Sequence, residues 1–301
     1  MVNKIGNIAV LCDWCRGPYQ EKLFSGILAA ADKYDKKCFF FAGRKLKAPD
    51  SEDLYQNRIY QLIRPDDYEG IILTGLLADY CTQKEFLDFA ISYNSCSLVS
   101  VEYKLPGYSA VLCDDKSSIA GLVAHLVSDH HYHHFIVVTG PRDNYCSRNR
   151  LSLIKKQLEK HTILLEPASI LEGDYSYISG RSAAKKLLHK LKKGFHKKID
   201  VIMAFNDLMA AGIIDELGEN KIRVPQDVAV TGFDNLDDAS TNVPGITTID
   251  QPIYDLGYFA LQSLATDKAP ENQDIFLKSK LIIRGSCGCP EQGSNKSLVE
   301  Q

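Results

Sequence analysis

Short apolar runs alternate along the chain with longer stretches whose apolar residues recur every three or four positions. Residues 8–11, 38–41, 71–73 and 98–101 are near-continuous apolar runs of strand length. Between the first two, Leu23, Ile27, Ala31 and Tyr34 share one helical face, and residues 54–63 and 86–91 read as further helices. The rhythm then restarts. A strand at 111–113 leads into a helix carrying Ile119, Leu122, Val123, Leu126 and Val127. Strands at 135–138, 170–171, 201–204 and 228–230 follow, separated by helices at 146–159, 178–191 and 208–217. This alternation predicts an α/β protein of parallel sheets with helices on both faces. Ten or more strands in one twisted sheet would be unusual, so two doubly wound lobes are expected. Residues 103–108, with Pro106 and Gly107, read as the linker between them.

In open parallel sheets, ligands bind beyond the carboxyl ends of the strands. The polar residues that follow the apolar runs are Asp13, Trp14, Thr74, Glu102, Asp114, Asp115, Thr139, Asn206, Asp207, Asp234 and Asn235. Aromatic residues stand among or near them: Trp14, Tyr19, Tyr175 and Phe233. Amides and carboxylates beside flat apolar faces suit a polyhydroxylated ligand, with hydrogen bonds for hydroxyls and rings for C–H faces. Any one of these Asp or Asn residues could equally cap the helix that follows it.

Charge and composition narrow the partners. The 301-residue chain has a net charge of −3, so no overall basic field recruits nucleic acid. The basic run Lys185, Lys186 and Lys190 to Lys193 falls on a helix with Leu187, Leu188 and Leu191, as a solvated face would. No secretion signal opens the sequence and no run is long enough to span a membrane, so a cytoplasmic protein without membrane contact is expected. Nine scattered cysteines suit reduced thiols. Cys12 and Cys15 form a C-x-x-C and Cys287 and Cys289 a C-x-C; a zinc site from these would require the two pairs to converge. His130, His131, His133 and His134 read as a polar surface turn. No metal, cofactor or catalytic group is expected, and no P-loop, nucleophile elbow or H-E-x-x-H is present.

Four ordered segments carry a resemblance to a known family. Ala204 to Ala210 reads A-F-N-D-L-M-A, and Val224 to Val228 reads V-P-Q-D-V ahead of Gly232, Phe233 and Asp234. Thr247 to Pro252 reads T-T-I-D-Q-P, with Gly257 beyond it, and Arg284, Gly285 and Ser286 follow. With Gly140, Pro141 and Arg150, the series resembles the effector-binding domain of the LacI/GalR family across residues 5–290. The resemblance implies the periplasmic-binding-protein type I fold, two lobes joined by three crossovers with an effector in the cleft. It assigns residues 4–111 and 253–275 to one lobe, 112–252 and 276–290 to the other, and 291–301 to a polar tail. Its ligand positions fall on Arg150, Asn206, Asp234 and Gln251, on Tyr175 as a stacking aromatic, and on Asp13, Trp14 and Tyr19 in the first loop. Thr74 and Glu102 join them as strand-end residues, and Cys146 stands where the family has a small polar or acidic residue. Leu153 replaces a family glycine.

The family's N-terminal helix-turn-helix has no counterpart before residue 5, and the ending R-G-S-C-G-C resembles versions of this domain fused to signalling outputs. The reading is therefore a ligand-sensing regulatory domain that binds a sugar or related polyol and relays lobe closure to a fused or separate output module. It would act as a homodimer, without catalysis and without specific DNA binding of its own. The alternatives are a transport-type solute-binding protein and, further off, a sugar-processing enzyme on the same scaffold.

Overall fold

The computed structural model describes residues 6–192, 198–266 and 273–290. The start of the predicted chain before residue 6, Lys193 of the basic run and the tail 291–301 lie outside them. The path begins with β1 (Asn7–Cys12), α1 (Pro18–Lys33), β2 (Lys37–Ala42) and α2 (Ser51–Gln56). It continues through β3 (Gly70–Thr74), α3 (Gln83–Ile91), β4 (Ser97–Val101), β5 (Ser109–Asp114) and α4 (Lys116–Ala124). Next come β6 (Phe135–Thr139), α5 (Tyr145–Lys160), β7 (Ile170–Glu172), α6 (Tyr177–Lys192), β8 (Val201–Ala204) and α7 (Asp207–Glu219). β9 (Ala229–Thr231), α8 (Asp237–Thr241), β10 (Thr248–Asp250), α9 (Ile253–Ala265), β11 (Ile275–Lys278) and β12 (Lys280–Ile282) complete it.

The chain divides into two units. Unit 1 holds the chain through Asp114, Arg142–Asn149 and Pro252–Lys278. Unit 2 holds Asp115–Pro141, Arg150–Gln251 and the chain from Ser279. Each is built on a parallel sheet, in the order β11-β5-β4-β3-β1-β2 in unit 1 and β7-β6-β8-β9 in unit 2. β10 and β12 form a separate antiparallel pair. The strands are apolar on both faces because helices cover both sides: β3, β6 and β8 are buried at every position.

Both units use the same device to seat a helix pair. A Cβ on Gly26 of α1 would lie 1.9 Å from the Tyr254 carbonyl oxygen of α9, and one on Gly257 of α9 would lie 2.1 Å from the Leu23 oxygen. In unit 2, Gly180 of α6 and Gly212 of α7 stand 2.2 Å by the same measure from the Met209 and Tyr177 oxygens. Backbone meets backbone at each crossing, which only glycine permits.

Three expectations are corrected. Residues 103–108 are not a linker between the units: they join β4 to β5 within unit 1, with Tyr103 and Leu105 buried, and β5 pairs in parallel with β4. Pro and Gly punctuate a turn there, and the buried side chains tie it down. The helix expected over 54–63 is α2 followed by a 3-10 segment, Asn57–Leu62. The side-chain amide of Asn57 donates to the carbonyls of Gly43, Lys45 and Asp53, which ends the α-helical run. Finally, Arg142–Asn149 groups with unit 1 although the flanking chain belongs to unit 2.

Candidate functional site

The expected contact residues form one set in each unit. In unit 2, Arg150 of α5 is 4% exposed, and its guanidinium carbon sits 3.7 Å above the centre of the Phe233 ring. Its Nη1 donates to the Phe205 carbonyl at 3.0 Å and its Nε lies 3.6 Å from Asp115 Oδ2. Asp234, one residue beyond Phe233, is buried with a left-handed φ of 100°, and Asn235 follows at 52°. Side chains with a Cβ rarely adopt that backbone, and such strain concentrates at functional sites. Burial pushes the Asp234 carboxyl up to about 8, while the nearby Arg150 charge pulls the other way. Gln251 donates its Nε2 to Asp234 Oδ1. Its Oε1 is buried and has no hydrogen-bond partner, an arrangement that costs stability unless the atom is used.

Several residues of the four recognised segments hold this corner together. Asp207 accepts from the Thr248 hydroxyl at 2.7 Å and from the Leu236 backbone at 2.9 Å. Arg284 donates to the Ile246 carbonyl and the Asn235 side chain. Ser286 donates to the Val230 carbonyl and accepts from the Thr247 backbone. A Cβ on Gly232 would meet Asp207 Oδ1 at 2.1 Å, which is why a glycine precedes Phe233. Asn206 caps α7, accepting from Met209 N at 2.9 Å, and its Nδ2 donates to the Tyr175 carbonyl at 2.8 Å. The helix-cap alternative therefore holds for the Asn206 carbonyl, and the same amide fixes the Tyr175 loop. The half-buried Tyr175 ring lies against Gly140, where an added Cβ would come within 2.1 Å of it.

In unit 1, two of the expected residues, Glu102 and Cys146, contact each other. Glu102, at φ 59°, accepts from Cys113 N at 2.5 Å, and Cys146 Sγ lies 3.3 Å from Glu102 Oε2 and 3.1 Å from its carbonyl oxygen. Asp13 is buried, with Gln20 Nε2 3.5 Å from its Oδ1. Burial, with Asp79 beside it, pushes its carboxyl up to about 6. Thr74 ends β3 with its Oγ1 buried and without a partner. Trp14 is 40% exposed, with the Arg44 guanidinium 3.7 Å over its ring. Tyr19 is half-buried in the first turn of α1.

Three residues of unit 1 escaped the sequence reading. The fully buried Asp79 takes Lys45 Nζ at 2.5 Å on one oxygen and Asn144 Nδ2 at 2.6 Å on the other. Lys45 follows β2 by three residues and Asp79 follows β3 by five, so neither falls directly after an apolar run. The histidine tract divides as well. His131, His133 and His134 are exposed as a surface turn should be, but His130 turns towards Cys289, with Nε2 3.4 Å from Sγ. The C-x-C thus meets histidines of its own unit, and Cys12 and Cys15 belong to unit 1.

A family model described as a periplasmic binding protein-like domain matches residues 123–287, more than half of the chain. The chain belongs to that family. Its resemblance to the LacI/GalR effector-binding domain stands on named regulators as well. It is 29% identical over 177 residues to the HTH-type transcriptional repressor PurR of Aliivibrio fischeri (strain MJ11), covering 57% of this chain and 51% of that protein. To the ribose operon repressor of Escherichia coli (strain K12) it is 25% identical over 294 residues, 95% of this chain and 83% of the repressor. The match thus spans about half the length of the first relative. The fold is also that of a solved transcriptional regulator CelR–cellobiose complex: TM-score 0.79, 19% identity, 94% of this chain and 85% of that one. These relatives are transcriptional regulators. Among the described residues, no helix of this periplasmic-binding-protein-like chain is long and apolar enough to cross a membrane.

Proposed function

We propose that the chain is a sensor for a small sugar-like effector, held by strand-end residues of both units, and that closure of the lobes on it is relayed to a transcriptional or signalling output. The observation that carries this reading is the Arg150 arrangement. A planar guanidinium, buried, stacked on Phe233 and placed by Asp115, can fork onto adjacent hydroxyls or a carboxylate. Asp234 and the Gln251 Oε1 add an acid and an acceptor to the same set, and Tyr175 adds a ring for C–H faces. A ribose operon repressor and a regulator complexed with cellobiose among the relatives favour a sugar. The carboxylates serve as hydrogen-bond partners and not as an acid–base pair, and the output module and a homodimer follow from the family resemblance.

The test is direct. Protein purified under native conditions is denatured, and the small molecules released are identified by mass spectrometry. A sugar or polyol at about one per chain, returned unchanged after incubation with fresh protein, is the expected result. Chemical turnover of the released compound would overturn the sensor reading in favour of an enzyme.

A further inference from the structure

Unit 2 carries a second cluster of chemistry-bearing side chains, built from residues that the effector set does not use. His125 opens a π turn, His125–Asp129, that continues α4, and His130 follows it. An α-helix, with about 3.6 residues per turn, sends residues five apart to different faces. The π turn closes the His130 N–H onto the His125 carbonyl at 3.3 Å and brings the two rings to 4.7 Å, edge to face. From the other side comes the turn Gly285–Cys287, followed by Gly288 at φ 107° and Cys289. A Cβ on Gly288 would come 3.2 Å from the His130 ring and the Tyr132 hydroxyl. Tyr132 stacks on His130 and donates to the Cys287 carbonyl at 2.9 Å, which locks the C-x-C against the histidine.

Four donor atoms converge as a result. His125 Nε2 lies 3.5 Å from both Cys287 Sγ and Cys289 Sγ, and His130 Nε2 lies 3.4 Å from Cys289 Sγ. The two Nε2 atoms are 3.2 Å apart, and all four donors fall within 4.8 Å of one another. Zinc bonds of about 2.3 Å to sulfur and about 2.0–2.1 Å to nitrogen imply tetrahedron edges of about 3.3–3.8 Å. Four of the six edges run from 3.2 to 3.5 Å. A network of thiol and imidazole hydrogen bonds needs only pairwise contacts; here all four atoms lie within 4.8 Å of one another. His125 also presents Nδ1 to Asp129 Oδ2 at 2.7 Å, the carboxylate–histidine pairing that leaves Nε2 as a lone-pair donor.

We infer that His125, His130, Cys287 and Cys289 form a closed structural site for a zinc-class divalent cation, clamping the Gly285–Cys287 turn to the end of α4. Two thiolates and two neutral imidazoles around a dication carry no net charge, which suits a site containing the fully buried Cys287. Both thiol protons leave to solvent as the metal enters, and no other bond is made or broken.

The experiment uses the full chain, purified under reducing conditions, stripped with a chelator and titrated with zinc and with cobalt. One metal per chain is expected. The cobalt form should show thiolate-to-metal charge transfer and intense tetrahedral ligand-field bands, and X-ray absorption on the zinc form of the parent protein should give two sulfur and two nitrogen neighbours. Cys287→Ser combined with Cys289→Ser should abolish binding, whereas Cys12→Ser with Cys15→Ser should leave it intact. Asp129→Asn, acting only through His125, should weaken zinc about 10–100-fold with the cobalt spectrum unchanged. Failure of the parent to bind either metal stoichiometrically would overturn the assignment. So would an absorption shell without sulfur, or full binding by the Cys287 and Cys289 variant.

Discussion

The two units place polar residues at equivalent strand ends, yet use them differently. In unit 1, Glu102 engages Cys113 and Cys146, and Asp79 joins Lys45 to Asn144, so carboxylates and their donors hold the loops in place. In unit 2 the loops are held by Asp207, Arg284 and Ser286, which lie behind the corner. That scaffold presents Asp234 in a strained backbone and Arg150 flat against an aromatic ring. Polar density at strand ends therefore marks where a site belongs, and the division of labour behind it marks which residues have their chemistry to offer. On the proposed reading, the Arg150 corner of unit 2 supplies most of the recognition energy.

The sharpest way to break the comparison is Arg150→Ala. It removes a charged fork and the guanidinium that faces Asp115 and Asp234, so effector affinity should fall by at least ~1.5–3 kcal/mol. Asp234→Ala should cost a similar or slightly smaller amount of affinity, read by the same calorimetry. Its isosteric partner Asp234→Asn sharpens the electrostatics. Because the folded carboxyl is pushed up to about 8 from an ordinary 3.8, the folded state holds that proton more tightly than the unfolded chain does. The parent should accordingly lose stability as pH rises between those values, and level off above them. Asp234→Asn removes that slope, so its melting point should gain on the parent most at about pH 9 and least at about pH 5. At the small end, Cys146→Ser keeps a donor towards Glu102 and should change effector affinity by less than about 0.5 kcal/mol. A loss as large as that of Arg150→Ala would show that unit 1 contacts the ligand through this residue.

Much of the fold was legible because its signals are local. Near-continuous apolar runs separated by periodic helices give parallel sheets buried on both faces, as β3, β6 and β8 show. The boundary was not, since Pro106 and Gly107 mark a turn equally well inside a unit as between units, and only the pairing of β4 with β5 decides. Asp234 and Gln251 lie in short recognisable segments and Arg150 a fixed step beyond Gly140, so all three could be proposed as ligand positions, and the structure brings Gln251 and Arg150 to Asp234. Asp79 and Lys45 could not, because they reach their positions through irregular turns after β3 and β2. His125 was hidden for a different reason. It sits among Leu122, Val123 and Leu126 in an ordinary apolar helix pattern, and only the π turn aligns it with His130. A one-residue change in helical pitch has no periodic signature in sequence.

The central claim is that a sugar-like effector is recognised through the Arg150 corner of unit 2. Isothermal titration of the compound released from the native protein, run in parallel on the parent chain and on Arg150→Ala of unchanged circular dichroism, addresses it most directly. The account predicts saturable one-to-one binding by the parent and a drop of roughly tenfold or more in the variant. Equal affinity in the two proteins would contradict it.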